Sequence, residues 1–87
     1  MSPLKTYIVE DSPVIRENLI ATLEELAPVR VEGTAEDEAS AMQWLARPGR
    51  HVDLVIVDLF LKSGSGLGVL RSAQALPRPA TMVVLSN

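Results

Sequence analysis

The sequence has 87 residues, room for one small domain, and its 47% hydrophobic and 22% charged residues are a globular balance, not a disordered one. A net charge of −3 and a pI near 5.0 argue against a nucleic-acid surface on charge grounds. With no cysteine, disulfides and thiolate metal sites are excluded; with no apolar run of signal-peptide or membrane-helix length, a cytoplasmic, membrane-free protein is expected.

The first element, KTYIVE (Lys5 to Glu10), is a short β-branched run and reads as a strand. Ser12 then caps and Pro13 opens a helix, the usual place for each residue. Ile15, Leu19, Leu23 and Leu26 are spaced to share one face of that helix, which Pro28 stops. VRVEG (Val29 to Gly33) alternates apolar and charged residues, as an edge strand with one wet side does. A second helix is expected from about Glu36 to Arg47, with Ala39, Met42, Leu45 and Ala46 inward and Pro48-Gly49 closing it. Trp44 and Met42 read as packing residues, and His51 as a solvated loop residue. DLVIVD (Asp53 to Asp58) is the continuous apolar run of a strand covered on both faces. Leu67, Leu70 and Ala73 mark a third helix, ended by Pro77 and Pro79, and TMVVLSN (Thr81 to Asn87) is a fourth strand.

Strands alternating with helices in the order βαβαβαβ imply right-handed crossovers and a parallel sheet, the doubly wound α/β class. Function in such sheets gathers at the carboxyl ends of the strands. Glu10 and Asp11 end the first strand, Asp58 the third and Ser86 the fourth. If the first and third strands are neighbours, three carboxylates meet in one crevice. Like charges at that separation need a compensating cation or raised pKa values. Oxygen donors without His or Cys suit a hard ion, Mg²⁺ first among them. A single Asp at a strand end often only caps the next loop, and Asp11 alone would merely assist Ser12 at the helix N-terminus. The coincidence of all these residues at the correct tips favours a site.

The glycine-rich SGSGLG (Ser63 to Gly68) invites comparison with phosphate-binding loops. It fits neither G-x-G-x-x-G, because its third glycine comes one residue early, nor a P-loop, because no Lys-Ser/Thr follows. A tight turn into the third helix is the simpler reading.

VEDS after the first strand, VIVDLFL with Gly66 eight residues beyond Asp58, and VVLSN at the fourth strand resemble the receiver domain of two-component response regulators. The resemblance spans the whole sequence. It implies a flavodoxin-like fold with strand order 2-1-3-4 and Asp58 as phosphoacceptor. Asp11 and Asp58 would ligate Mg²⁺ directly, together with the backbone carbonyl of Phe60, and Glu10 would act through a bound water. Ser86 matches the hydroxyl residue that moves to the phosphoryl group. The implied partner is a sensor histidine kinase or phosphotransfer protein; no direct nucleic-acid binding is expected of this segment.

Two departures accompany the match. Phe60 fills a position that is often polar in the family, where a bulky ring should impede the water that hydrolyses the acyl phosphate. The 87 residues also hold no counterpart of the family's fourth helix, fifth strand and fifth helix, so residues 1–87 read as a partial receiver with no catalytic lysine. Lys62, in the loop after Asp58, is not assigned that role. The alternative is therefore a phosphotransfer-impaired interaction or assembly module, and the bare fourth-strand edge suggests a homo-oligomer. A haloacid-dehalogenase-type phosphatase would need a second Asp where Phe60 stands, and EDSPV lacks the hydroxyl-rich loop of a flavin binder.

Overall fold

The computed structural model describes residues 2–49, 51–77 and 80–85 and contains β1 (Leu4–Val9), α1 (Pro13–Leu26), β2 (Val29–Ala35), α2 (Glu38–Ala46), β3 (Leu54–Asp58), α3 (Gly66–Gln74) and β4 (Thr81–Leu85). The four strands form one parallel sheet in the order β2-β1-β3-β4, as expected. β2 is an edge strand whose residues alternate between partly buried and exposed. β3 lies inside the sheet, with Val55, Ile56 and Val57 all buried. Among the described residues no helix is long and apolar enough to cross a membrane.

The chain steps one way across the sheet from β1 to β2 and the other way from β2 to β3 and β4, so right-handed crossovers put α1 on one face and α2 and α3 on the other. On the α2–α3 face Tyr7, Val9, Val55 and Val57 meet Ala41, Leu45, Val69 and Ala73 in one core. The Tyr7 and Trp44 rings stack there, with centroids 4.2 Å apart and planes 17° from parallel. The register of β1 against β2 shifts between Thr6 and Tyr7, so Tyr7 pairs with Gly33. A Cβ on Gly33 would lie 3.1 Å from the Trp44 ring and 3.2 Å from that of Tyr7. The shift thus places the one side-chain-free residue of β2 beneath the stack.

Several expected boundaries and faces change. β2 runs on to Ala35, which pairs with Val9, so α2 starts at Glu38 instead of Glu36. Asp37 caps it, its short carboxylate accepting the Ser40 N–H at 2.8 Å. The buried residues of α2 are Ala41 and Leu45, with Trp44 packed beside them, while Ala39, Met42 and Ala46 are exposed. Small Ala41 lets the helix approach the sheet, and the stack then orients Trp44 inward and Met42 outward. In α3 the buried residues are Gly66, Val69 and Ala73; Leu70 is half-buried and Leu67 exposed. α1 begins as expected, with Ser12 Oγ accepting the Ile15 N–H at 3.3 Å, yet none of its residues is fully buried. Leu19 and Leu23 are half-buried, whereas Ile15 is exposed and Leu26 is 77% exposed.

Because Trp44 joins α2 to the central strand, Trp44→Ala should destabilise the fold by about 3 kcal/mol, the usual scale for removing a core aromatic. Denaturant unfolding should show the midpoint falling with the slope unchanged.

Candidate functional site

Apolar β1 and β3 are adjacent and in register, Val9 opposite Val57. Both therefore end at the same level, and the acids that follow or close them share one rim. Carboxylate oxygens of Glu10, Asp11 and Asp58 all lie within 4.8 Å of one another. Glu10 is 3% exposed, and Asp11 and Asp58 are half-buried.

Each carboxylate accepts a backbone N–H. Glu10 Oε2 takes that of Ser12 at 3.0 Å, Asp58 Oδ1 that of Phe60 at 3.0 Å, and Asp11 Oδ2 that of Lys62 at 2.8 Å. The last bond joins the β1–α1 loop to the β3–α3 loop. Burial, above all, pushes the Glu10 carboxyl above its ordinary value, and its hydrogen bond with Asp11 and the charges of Asp58 and Asp11 add to the effect. The Lys62 N–H is the main cause holding Asp11 below its ordinary value.

Phe60 directs its N–H at Asp58 and leaves its ring 64% exposed. Gly66 is pressed against the strand end: a Cβ there would strike the Asp58 carbonyl oxygen and lie 2.8 Å from Leu59 Cα. Gly64 has φ +85°, and Ser65 caps α3 by accepting the Leu67 N–H at 3.1 Å, so the glycine-rich stretch is a turn. His51 is exposed. Ser86 lies outside the described residues; Leu85 before it pairs with Asp58.

Arg16 and Glu38 escaped the sequence reading. The Arg16 guanidinium donates to the Glu10 carbonyl at 2.8 Å and lies 3.5 Å from Glu36, holding the strand end from the first turns of α1. Its place five residues after Asp11, on the opening turns of a helix, was the available signal. Glu38 accepts the Ser65 N–H at 2.7 Å across a separation of 27 residues, for which no local signal exists.

Three clustered carboxylates, one of them buried and raised in pKa chiefly by that burial, form an oxygen donor set suited to a hard divalent cation such as Mg²⁺.

A family described as the response regulator receiver domain matches residues 6–87. A protein-glutamate methylesterase/protein-glutamine glutaminase of Myxococcus xanthus is 30% identical over the whole chain, which spans 24% of that relative. The transcriptional regulatory protein MalR of Bacillus subtilis is 26% identical over 95% of the chain, which spans 34% of it. The present chain is thus a quarter to a third of the length of these curated relatives. Among solved structures, a CheY-like response regulator receiver domain from Methylobacillus flagellatus superposes with a TM-score of 0.84 at 28% identity, over 98% of this chain and 70% of that one. RcsB of Salmonella enterica, bound to a promoter, shares the fold with a TM-score of 0.80 at 22% identity, over 95% of this chain and 47% of that one.

The opposite pKa directions carry opposite pH signatures. Glu10 favours the fold while protonated, a contribution present below its ordinary value of 4.5 and lost as pH rises through the raised folded value. Asp11 contributes above its ordinary value of 3.8 and loses that contribution as pH falls through the lowered one. Glu10→Gln should therefore raise metal-free stability at neutral pH by about 1 kcal/mol, a usual scale for relieving a functional-site conflict. The gain should vanish in acid, and Mg²⁺ should stabilise the variant less than the parent. Unfolding measured across pH, with and without Mg²⁺, checks all three.

Proposed function

Because the chain belongs to the response regulator receiver domain family, we propose that it receives a phosphoryl group on Asp58 from a histidine kinase or phosphotransfer protein. The observation that carries this reading is the meeting of Glu10, Asp11 and Asp58 within 4.8 Å at the carboxyl ends of adjacent strands. A receiver is a signalling domain. The esterase and glutaminase activities in a relative's name belong to a protein of which this chain spans 24%.

In the proposed transfer a carboxylate oxygen of Asp58 attacks phosphorus. The new O–P bond forms as the bond from phosphorus to the donor breaks, leaving an acyl phosphate on Asp58. The Phe60 N–H orients the attacking carboxylate, and the Lys62 N–H keeps Asp11 ionised beside it. Asp11, Asp58 and the Phe60 backbone carbonyl would hold Mg²⁺ directly, with Glu10 acting through a water, and the ion would neutralise charge on the transferring oxygens. Ser86 would then turn its hydroxyl to the phosphoryl oxygens; the pairing of its chain neighbour Leu85 with Asp58 supports that role.

Incubation with acetyl phosphate and Mg²⁺, followed by intact-mass measurement, tests the assignment. One phosphoryl group should add to the parent protein and none to Asp58→Ala. Label persisting on that variant, or mapping to Ser86, would contradict it.

Self-association is the second reading, favoured by the outer side of β4. That edge pairs with no strand among the described residues, and Val83 and Val84 are 39% and 43% exposed. Unpaired, uncharged edges recruit further strands. A polypeptide of these 87 residues should scatter light as a dimer or larger at micromolar concentration, and Val83→Lys should shift it toward monomer.

A further inference from the structure

Helix α3 begins with half of a common device. In a capping box the N-cap side chain accepts an N–H of the first turn, and a Glu three residues later reaches back to the N-cap N–H. Ser65 supplies the first half, its Oγ accepting the Leu67 N–H. The position three residues later is Gly68, which has no side chain to return the bond. The Ser65 N–H is nevertheless satisfied: it donates at 2.7 Å to Oε1 of Glu38, from the first turn of α2.

The surroundings are built for that reach. A Cβ on Gly68 would collide with Glu38 Oε2 and lie 2.5 Å from its Cδ, so the Glu38 carboxylate occupies the space where a side chain at that position would begin. A Cβ on Gly64, whose φ is +85°, would lie 2.5 Å from the Glu38 Cβ. The Glu38 N–H donates in return to the Ser63 carbonyl at 3.4 Å.

We propose that Glu38 completes the capping box of α3 from a different helix and is thereby a positioning residue for the phosphoacceptor loop. That loop, residues 59–65, is tied at Phe60 to Asp58, at Lys62 to Asp11 and at Ser65 to Glu38. The first two ties belong to the acid cluster, whereas Glu38 anchors the far end of the loop from outside it. With the far end fixed, the Phe60 carbonyl and the Lys62 N–H are held in place relative to the acids. The proposal rests on the reading of the acids as a Mg²⁺-dependent phosphoacceptor site.

Glu38→Ala removes the borrowed carboxylate, and Gly68→Glu in that background rebuilds the box within α3. Glu38→Ala should speed hydrogen exchange at the Ser65 and Lys62 amides. It should also weaken Mg²⁺ binding by about three- to tenfold, at or below the usual range for a residue that supports metal ligands. Gly68→Ala, which only fills the seat of the carboxylate, should do the same with the fold intact. The double variant Glu38→Ala/Gly68→Glu should return both readouts to near the parent values, a rescue that a merely structural role for the Glu38 side chain would not produce. Unchanged exchange at Lys62 in Glu38→Ala, or a loss that adding Gly68→Glu fails to rescue, would overturn the proposal. A parent protein that binds no Mg²⁺ would instead overturn the reading of the acids, and amide exchange would still decide the role of Glu38.

Discussion

Three carboxylates held within 4.8 Å repel one another, and much of the local structure follows from how that repulsion is offset. No side-chain ion pair among the described residues neutralises them: the two present join Arg16 to Glu36 and Arg30 to Glu32. The offset comes chiefly from backbone N–H groups of Ser12, Phe60 and Lys62, one to each acid, with the Lys62 charge adding to it at Asp11. Fixed peptide dipoles lower the energy of the ionised groups without cancelling their charge, so the rim stays negative and able to take a cation. Glu10 is the most buried of the three, and that burial, with the neighbouring charges adding to it, is what raises its pKa. The site thus retains a conflict that a metal-free fold would be better without, as is common where function opposes stability.

That arrangement in turn constrains the fold. Acids at the ends of two strands meet only if the strands are adjacent, parallel and level, and the β1–β3 register supplies this from Thr6 opposite Leu54 to Val9 opposite Val57. Keeping β1 central needs both faces of it covered, which the α1 and α2–α3 layers provide; Tyr7, Ile8 and Val9 are all buried. The Tyr7–Trp44 stack over Gly33 and the Arg16 bond to the Glu10 carbonyl then hold β1 near its middle and at its end.

The strands and the acids were legible because both signals are local. A β-branched run closed by a carboxylate is visible in VIVD and YIVE, and the Ser12-Pro13 start of α1 needs no tertiary knowledge. The helix faces were less so. In α2, apolar residues at 39, 41, 42, 44, 45 and 46 ring the helix, and choosing Ala41 over Met42 as the inward residue required knowing that Trp44 would stack on Tyr7. In α3 the stripe shifted from Leu67 to Val69 because Gly66 is seated against the Asp58 carbonyl, which turns Val69 to the sheet. The loop ties were illegible in principle, since every non-proline residue carries the same N–H. Nothing in Phe60 or Lys62 as a residue type announces which carboxylate it will serve.

The same fact explains a division of labour around the rim. Phe60 acts on Asp58 through its backbone, while its ring is free in solvent; Lys62 likewise reaches Asp11 through its N–H. A loop that organises a charged site through peptide groups leaves its side chains available for other constraints, such as the surface a partner protein meets. In this loop glycine serves where backbone passes too close for a Cβ, as at Gly66, or where φ is positive, as at Gly64. Negative charge is thereby concentrated in Glu10, Asp11 and Asp58 at the strand ends, and loop geometry is left to N–H groups and glycines. The exposed Phe60 ring takes no part in holding the carboxylates, and the Lys62 side chain adds only its positive charge to what its N–H already does for Asp11.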